Sequence, residues 1–144
     1  MLSVLRALLA PAAPRLAEPD ARLALAALLV RVARSDGHYA ANEMAHITRI
    51  LMQRHSLSEP AATALRAEAE AVEAEAPDTV RFTRALKAAV PLEDRTALVE
   101  ALWTVALADG QRDDEEDRML RLVTNLLGLT DVESAQARRR ARRT

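Results

Sequence analysis

Residues 21–35, which read ARLALAALLVRVARS, constrain the fold of this chain more than any other segment. The polar side chains in this run are limited to three arginines and the final serine. A helix built from it is therefore apolar around almost its whole circumference, and such a helix is stable only when it is buried. The segment is predicted to form a helix in the core of the protein.

The composition predicts that the rest of the fold is also helical. The 144 residues include 3 glycines and 2% aromatic residues, which is too few turn and sheet formers for an all-β or doubly wound fold. Alanine, the best helix former, is abundant. A chain of this length forms one domain and buries roughly 70% of its unfolded surface, so it needs no metal or disulfide to fold. The predicted fold class is all-α.

Charge and cysteine content exclude several classes of function. Without cysteine, the chain has no disulfide scaffold, thiolate zinc site, iron–sulfur cluster or cysteine nucleophile. A net charge of −1 provides no global field that attracts nucleic acid or anionic membrane, so we expect no nucleic-acid partner. No run reaches the ~18 apolar residues of a membrane span. We expect a cytoplasmic protein with no integral membrane segment.

Prolines and N-cap residues divide the chain into about seven helices, because proline interrupts a helix and Ser, Thr or Asp satisfies the free amides at its start. We predict an N-terminal amphipathic helix and linker at residues 1–18, a helical domain at residues 19–130, and a C-terminal helix with a basic tail at residues 131–144. Within the domain, the predicted helices cover residues 20–35, a stretch ending near residue 55, a stretch from Ser58 to just before Pro77, a stretch capped by Asp78 that ends at Pro91, residues 92–108, and a stretch from Asp113 to Gly128.

Two of these helices carry specific expectations about burial. The helix that begins after Ser58 shows alanine and glutamate on most faces and is predicted to lie on the surface. The helix that begins at Asp113 is predicted to end in a left-handed residue at Gly128. Its predicted inward face consists of Met119, Leu122, Val123 and Leu126.

One helix–turn–helix unit occurs twice in the sequence. Residues 31–51 align without gaps on the stretch that begins at residue 104, and SLS at 56–58 resembles GLT at 128–130. The two repeats cover about residues 20–57 and 92–130. Because neither unit can cover its own apolar helix, the two units are predicted to pack about a pseudo-twofold axis with these helices at the centre. The matched pairs around the turns are Asp36/Asp109, Gly37/Gly110 and Glu43/Glu116.

The arrangement LLVRVARSDGHYAANE, followed about 73 residues later by LWTVALADGQRDDEE, resembles the tellurite-resistance TerB family. The helical domain of that family also occurs as the N-terminal domain of DjlA-type co-chaperones. The resemblance covers residue 20 to about residue 129. It implies a compact bundle of seven or so helices, a cytoplasmic setting, a role in a stress response, and a divalent-metal site built from acidic residues of the repeated pattern.

The candidate metal-binding residues are Asp36 and Glu43 in the first unit and Asp109, Asp113 and Glu116 in the second. Ca²⁺ or Mg²⁺ takes several oxygen ligands, and an Asp at the start of a loop with a Glu seven residues later can wrap such an ion. The second unit is the better candidate because it concentrates acidic residues at 113–117. A second interpretation stays open, in which the Asp-Gly pairs form tight turns and the glutamates close capping boxes.

The sequence contains no glycine-rich phosphate loop, G-x-S-x-G elbow or H-E-x-x-H motif. We therefore predict a non-enzymatic module that acts through protein partners. A purely structural adaptor that binds no metal is the alternative. A carboxylate-based enzyme that uses Asp36 and Asp109 as acid and base is a remote third hypothesis.

The C-terminal stretch QARRRARRT has two interpretations. A cluster of arginines at the end of a helix is favourable as a solvated cap, but it also suits an acidic partner. Attraction between this tail and the acidic residues 113–117 of a second chain would give a homodimer.

Overall fold

The computed structural model describes residues 18–76, 78–108 and 114–143. Over these residues the chain is all-α, as its composition predicts, with seven α-helices and no strand. A short 3₁₀-helix, Leu92–Asp94, precedes the fifth. The helix predicted near the N-terminus lies outside the described residues. The seven helices are α1 (Glu18–Arg34), α2 (Ala41–His55), α3 (Glu59–Glu75), α4 (Val80–Ala89), α5 (Arg95–Ala106), α6 (Asp114–Leu126) and α7 (Asp131–Arg142).

Helix α1 lies at the centre of the bundle. It packs against α2, α3, α4, α5 and α6, so neighbours surround it on most sides. Residues 24–30 are at most 1% exposed, which confirms the core position predicted from their apolar character. Full burial of each Leu or Val in this run contributes about 1.5–3 kcal/mol relative to an exposed side chain.

The cap residues explain where several helices begin. The Ser58 side chain accepts a hydrogen bond from the Ala61 N–H at the start of α3. Thr130 and Glu133 form a reciprocal capping box at the start of α7, which fixes the predicted beginning of that helix. For α4 the prediction was one residue off. The N-cap is Thr79, and Asp78 instead accepts from the Val80 N–H with its side chain.

Two other predictions need correction. Helix α5 begins at Arg95 rather than residue 92, because the residues after Pro91 form a 3₁₀ turn, as is common at helix starts. The predicted inward face of α6 was partly wrong, since Leu122 is 48% exposed. Apolar residues at 119–127 form two overlapping stripes, and packing against α1, α4, α5 and α7 selects the other one. The buried side chains of that stripe are Leu120, Val123, Thr124 and Leu127.

Helices α1–α3, here the first unit, and helices α5–α7, here the second unit, share local structure at matched positions. Ser56 and Gly128 both adopt the left-handed conformation, with φ of 54° and 85°, and Gly128 does so as predicted. Ser58 and Thr130 are both N-caps of the following helix. The most extensive helix contacts are α1 with α3 and α5 with α7. The similarity therefore continues into the third helix of each unit, while the pseudo-twofold axis stays a prediction.

In the described part of the chain, no helix combines the length and the apolar character that crossing a membrane requires.

Candidate functional site

The first acidic turn connects α1 to α2. Gly37 has a φ of 84°, and its N–H donates to the carbonyl of Arg34 at 3.0 Å. The half-buried Asp36 accepts a hydrogen bond from the His38 N–H through Oδ1 at 2.8 Å. The glycine supplies the positive φ and the aspartate bonds the backbone two residues ahead, as tight-turn chemistry requires.

Glu43 lies in the first turn of α2 and is 1% exposed. Its Oε1 accepts a hydrogen bond from the Ala40 N–H at 3.0 Å. This contact is the glutamate half of a capping box, and Ala40 has no side-chain acceptor for the other half. The positive end of the α2 dipole also favours a carboxylate at this position.

Glu116 occupies the matched position in the second unit. It lies in the first turn of α6 and is 2% exposed, so both glutamates of the repeated pattern are buried. Asp109 and Asp113 lie outside the described residues. Among the residues that the structure does describe, no group of three or more His, Asp or Glu side chains is arranged to hold a metal ion. Helices α2 and α6 carry Glu43 and Glu116. In the described part of the chain, these two helices do not pack extensively against each other.

The donor chemistry of Asp36, Glu43 and Glu116 suits a hard cation. Ca²⁺ and Mg²⁺ bind carboxylate oxygens, and buried charges in proteins are generally paired or coordinate metals. A carboxylate offers about four lone-pair sites. The backbone bonds of Asp36 and Glu43 each use one oxygen, so these bonds are compatible with cation binding through the same carboxylate.

A polar network that sequence reasoning missed joins α1 to α3. Glu73 is 9% exposed and forms ion pairs with Arg31 at 2.9 Å and Arg34 at 2.6 Å. Arg31 also donates to the carbonyls of Glu73 and Ala76 at the end of α3. The sequence contained a signal for this network, because these two arginines lie three residues apart on one face of an otherwise apolar helix.

The network continues into the first turn through Tyr39. Its hydroxyl donates to Glu70 Oε2 at 2.5 Å, and the Arg34 guanidinium lies 5.0 Å from the centre of its ring. Burial, together with this hydrogen bond and the negative charge of Glu70, raises the pKa of Tyr39 well above its usual range. The phenol therefore stays protonated. Arg34 and Tyr39, which flank the turn, hold it against α3.

The second unit has a different polar contact at its matching helix junction. The indole Nε1–H of Trp103 donates to Ser134 Oγ at 3.0 Å, and both residues are buried. The Arg138 guanidinium lies 5.4 Å from the centre of the Trp103 ring. Residues 136–142 of the basic tail are part of helix α7, and Arg140 among them pairs with Glu100 of α5 at 3.0 Å.

Comparison with known proteins supports a family assignment. The family model described as "Tellurite resistance protein TerB" matches residues 22–139, which is most of the chain. No curated protein and no solved structure matches the chain significantly.

Proposed function

The chain belongs to the TerB family of tellurite-resistance proteins, and on this premise we propose that it is a non-enzymatic interaction module with a divalent-cation site at its two acidic turns. The proposed ligands come from both units. They are Asp36, Glu43, Asp109, Asp113 and Glu116.

The observation that carries this proposal is the burial of Glu43 and Glu116 at 1% and 2% exposure. Both follow an Asp-Gly pair in the sequence by six or seven residues, and both lie in the first turn of a helix. Removing a carboxylate from water is costly, and a bound cation offsets that cost. Helix capping needs one acidic residue and not a cluster such as that at 113–117. The additional carboxylates favour Ca²⁺ or Mg²⁺ as a further partner.

A cation at these turns would act on the centre of the bundle. The first Asp-Gly pair follows α1 in the chain, the second follows α5, and these two helices pack against each other. A ligand that binds only the folded state stabilises it by mass action, so cation binding would raise the melting temperature. The membership of the chain in the TerB family supports a cytoplasmic stress-response role in which this module binds protein partners.

The experiment is an amide NMR titration of the metal-free protein with Ca²⁺, Mg²⁺ and Zn²⁺. We expect saturable shifts centred on Gly37 and Gly110. The double variant Asp109→Asn with Glu116→Gln should abolish them.

A matched control is the double variant Glu93→Gln with Asp94→Asn, which changes two exposed carboxylates of the 3₁₀-helix. It should titrate like the wild type. Spectra that do not move at millimolar ion would refute the cation site.

A second candidate function is a structural adaptor that binds no metal. The hydrogen bonds from His38 N–H to Asp36 and from Ala40 N–H to Glu43 favour it, because they give both carboxylates a role in the turn and the cap. The same titration separates the two, since an adaptor shows no saturable shift. In that case Glu43→Ala should still lower stability, because it removes the Oε1 that accepts from the N-cap amide.

A further inference from the structure

A groove of about 1220 Å³ lies between α2, α5 and α7. It is larger than the roughly 300–1,000 Å³ of a typical small-molecule pocket. Its wall on α5 and the residues just after that helix includes the small or apolar Ala97, Ala101 and Leu107. Arginines from α2 and α7 line the other sides. These are Arg49, Arg54, Arg138 and Arg142.

The corresponding face of the first unit is covered. In the sequence alignment of the two units, Ala97 and Ala101 of α5 are matched with Ala24 and Leu28 of α1. Ala24 and Leu28 are at most 1% exposed, whereas Ala97 is exposed and Ala101 is half-buried. The same residue positions are therefore buried on α1 and open on α5.

Helix α4 packs on the first unit near this face. It packs on both α1 and α6, which are the counterparts of α5 and α2. Its buried Phe82 lies 5.7 Å from the Arg31 guanidinium, and Arg31 is the counterpart of Thr104 in the groove wall. By this correspondence, the groove lies where a helix equivalent to α4 would pack on the second unit.

The groove carries the same positive sign of charge as α4. The described part of the groove wall carries four arginines against one glutamate, Glu100, which already pairs with Arg140. The two histidines in the wall do not offset this charge. Burial, with a contribution from nearby arginines, lowers the pKa of His46 and lowers that of His55 to about 4, so both are neutral at pH 7. Helix α4 itself carries Arg81, Arg84 and Lys87 and would be repelled here.

We propose that the groove between α2, α5 and α7 binds a short amphipathic helix of a partner protein, with an apolar face on α5 and acidic side chains toward the arginines of α2 and α7. Helix-in-groove recognition of this kind uses apolar anchors at helical spacing. Charge complementarity adds specificity and a faster association rate. This inference rests on the interaction role proposed above and names the kind of partner.

Other occupants fit the groove less well. Single-stranded nucleic acid needs exposed aromatic rings for stacking, and Trp103 is buried with its N–H bonded to Ser134. A flat membrane surface does not fill a concave groove. Residues 1–17 of this chain carry two arginines and no acidic residue, so charge disfavours them as well.

The test uses a fluorescent synthetic peptide based on residues 78–91, in which Arg81→Glu, Arg84→Glu and Lys87→Glu make the polar face acidic. The same peptide with its natural sequence is the matched control. Fluorescence anisotropy measures binding to the full chain, and amide NMR locates it. We expect the acidic peptide to bind more tightly than the natural one by about tenfold or more, with shifts at Ile50 and Ala101. Added salt should weaken the complex.

Charge-reversed protein variants test the location. The groove variant Arg49→Glu, Arg54→Glu and Arg142→Glu changes three exposed side chains and should weaken binding by about tenfold or more. A control variant with the same charge change on α4 and α6 should bind like the wild type. Its substitutions are Arg81→Glu, Arg84→Glu and Arg121→Glu.

Several results would overturn the proposal. One is equal binding of the acidic and the natural peptide, and another is an equal loss of peptide binding in the groove and control variants. A third is that heparin or phosphatidylglycerol vesicles bind through the same arginines more tightly than the acidic peptide does. A dimer of the wild type that dissociates in the groove variant, measured by sedimentation, would assign the groove to a second copy of the chain. The cation titration is run on the same wild-type sample. Saturable shifts at Gly37 in a wild-type protein that does not bind the acidic peptide would reject this inference and leave the cation site standing.

Discussion

The two units join their first and third helices in different ways. In the first unit, Arg31 and Arg34 of α1 form ion pairs with Glu73 of α3. In the second unit, the counterparts of these arginines are Thr104 and Leu107, which line an open groove. Matched sequence positions thus carry an ionic junction in the first unit and line an accessible surface in the second.

The difference arises from a few substitutions at matched positions. Glu70 of α3, which binds Tyr39, corresponds to Arg142 of α7. The matched positions thus exchange the arginines of α1 for Thr104 and Leu107 on α5, and a glutamate of α3 for an arginine of α7. Glu100, the carboxylate in the described part of the groove wall, pairs with Arg140. A repeated unit can therefore convert a stabilising contact into a binding surface while its helices keep their packing.

The largest expected effect is loss of the ionic junction in the first unit. Glu73→Ala leaves Arg31, whose side chain is 12% exposed, without its carboxylate. Breaking a buried ion pair in this way costs about 3 kcal/mol of unfolding free energy. Arg142→Ala, at an exposed position of the second junction, should change stability by less than about 0.5 kcal/mol. Urea unfolding followed by circular dichroism measures both, and equal losses would contradict the distinction between the junctions.

The hydrogen bond of the second junction should come next. Ser134→Ala removes the acceptor of the buried Trp103 N–H, which we expect to cost about 2 kcal/mol. The matched residue of the first unit is Ala62, which is fully buried. Ala62→Ser adds a hydroxyl to an apolar site and should also destabilise, by about 1–2 kcal/mol. Unfolding followed by tryptophan fluorescence checks both, and a stabilising Ala62→Ser would show that the two sites are more alike than we infer.

The left-handed residues after α2 and α6 give a smaller, opposite pair of effects. Gly128→Ala should cost about 1 kcal/mol, because its φ of 85° strains a residue with Cβ. The added Cβ would meet Arg95 Nη1 at 3.4 Å and Leu92 Cδ1 at 3.7 Å, which are ordinary contacts. Ser56→Gly should stabilise by about 0.5 kcal/mol, since it relieves the same strain. Thermal melting of both variants measures the difference, and shifts of the same sign would be inconsistent with it.

The smallest expected effect on stability concerns His55. It precedes Ser56 in the first unit, and Leu127, which precedes Gly128, is its counterpart in the second. Burial first, and then Arg22 and Arg54, lower the pKa of His55 to about 4 from its usual 6.5. Because the unfolded chain binds the proton more readily, His55 contributes stability above pH 6.5 that is lost between about pH 6.5 and 4.

His55→Leu should therefore flatten the stability profile in that pH range. We expect a difference of less than about 1 kcal/mol, because solvent screens a half-buried group. Denaturant titrations at pH 7 and pH 5 check it, with His38→Gln at an exposed position as the control. A pH profile left unchanged by His55→Leu would rule out this contribution.

Much of the fold follows from local signals in the sequence. Ser58 and Thr130 specify helix starts, Gly128 specifies a helix end, and the apolar run at residues 21–35 specifies the central helix. These signals act within a few residues of their effect. The inward face of α6 could not be chosen from sequence, because Leu120 and Leu122 are equally apolar and only packing against other helices distinguishes them.

The candidate site also has features that the sequence indicated and features that depend on tertiary packing. The sequence indicated Asp36 and Glu43 through their repeated spacing, and the structure gives their turn and cap contacts. It did not indicate the burial of Glu73, which was expected on a surface helix, because that burial depends on arginines about forty residues away. The groove is also a tertiary feature, since it depends on three helices that are far apart in the chain.

The central position of α1 affects how the chain is made on the ribosome. Its apolar surface is synthesised before most of the helices that cover it, and about 60 residues separate the end of α1 from the start of α5. At about 5–20 residues per second, the side of α1 that contacts α5 waits roughly 3–12 s for its partner. During that interval the nascent chain exposes this apolar side of α1 to solvent, so we expect chaperone supply during translation to affect how much of the protein reaches the folded state.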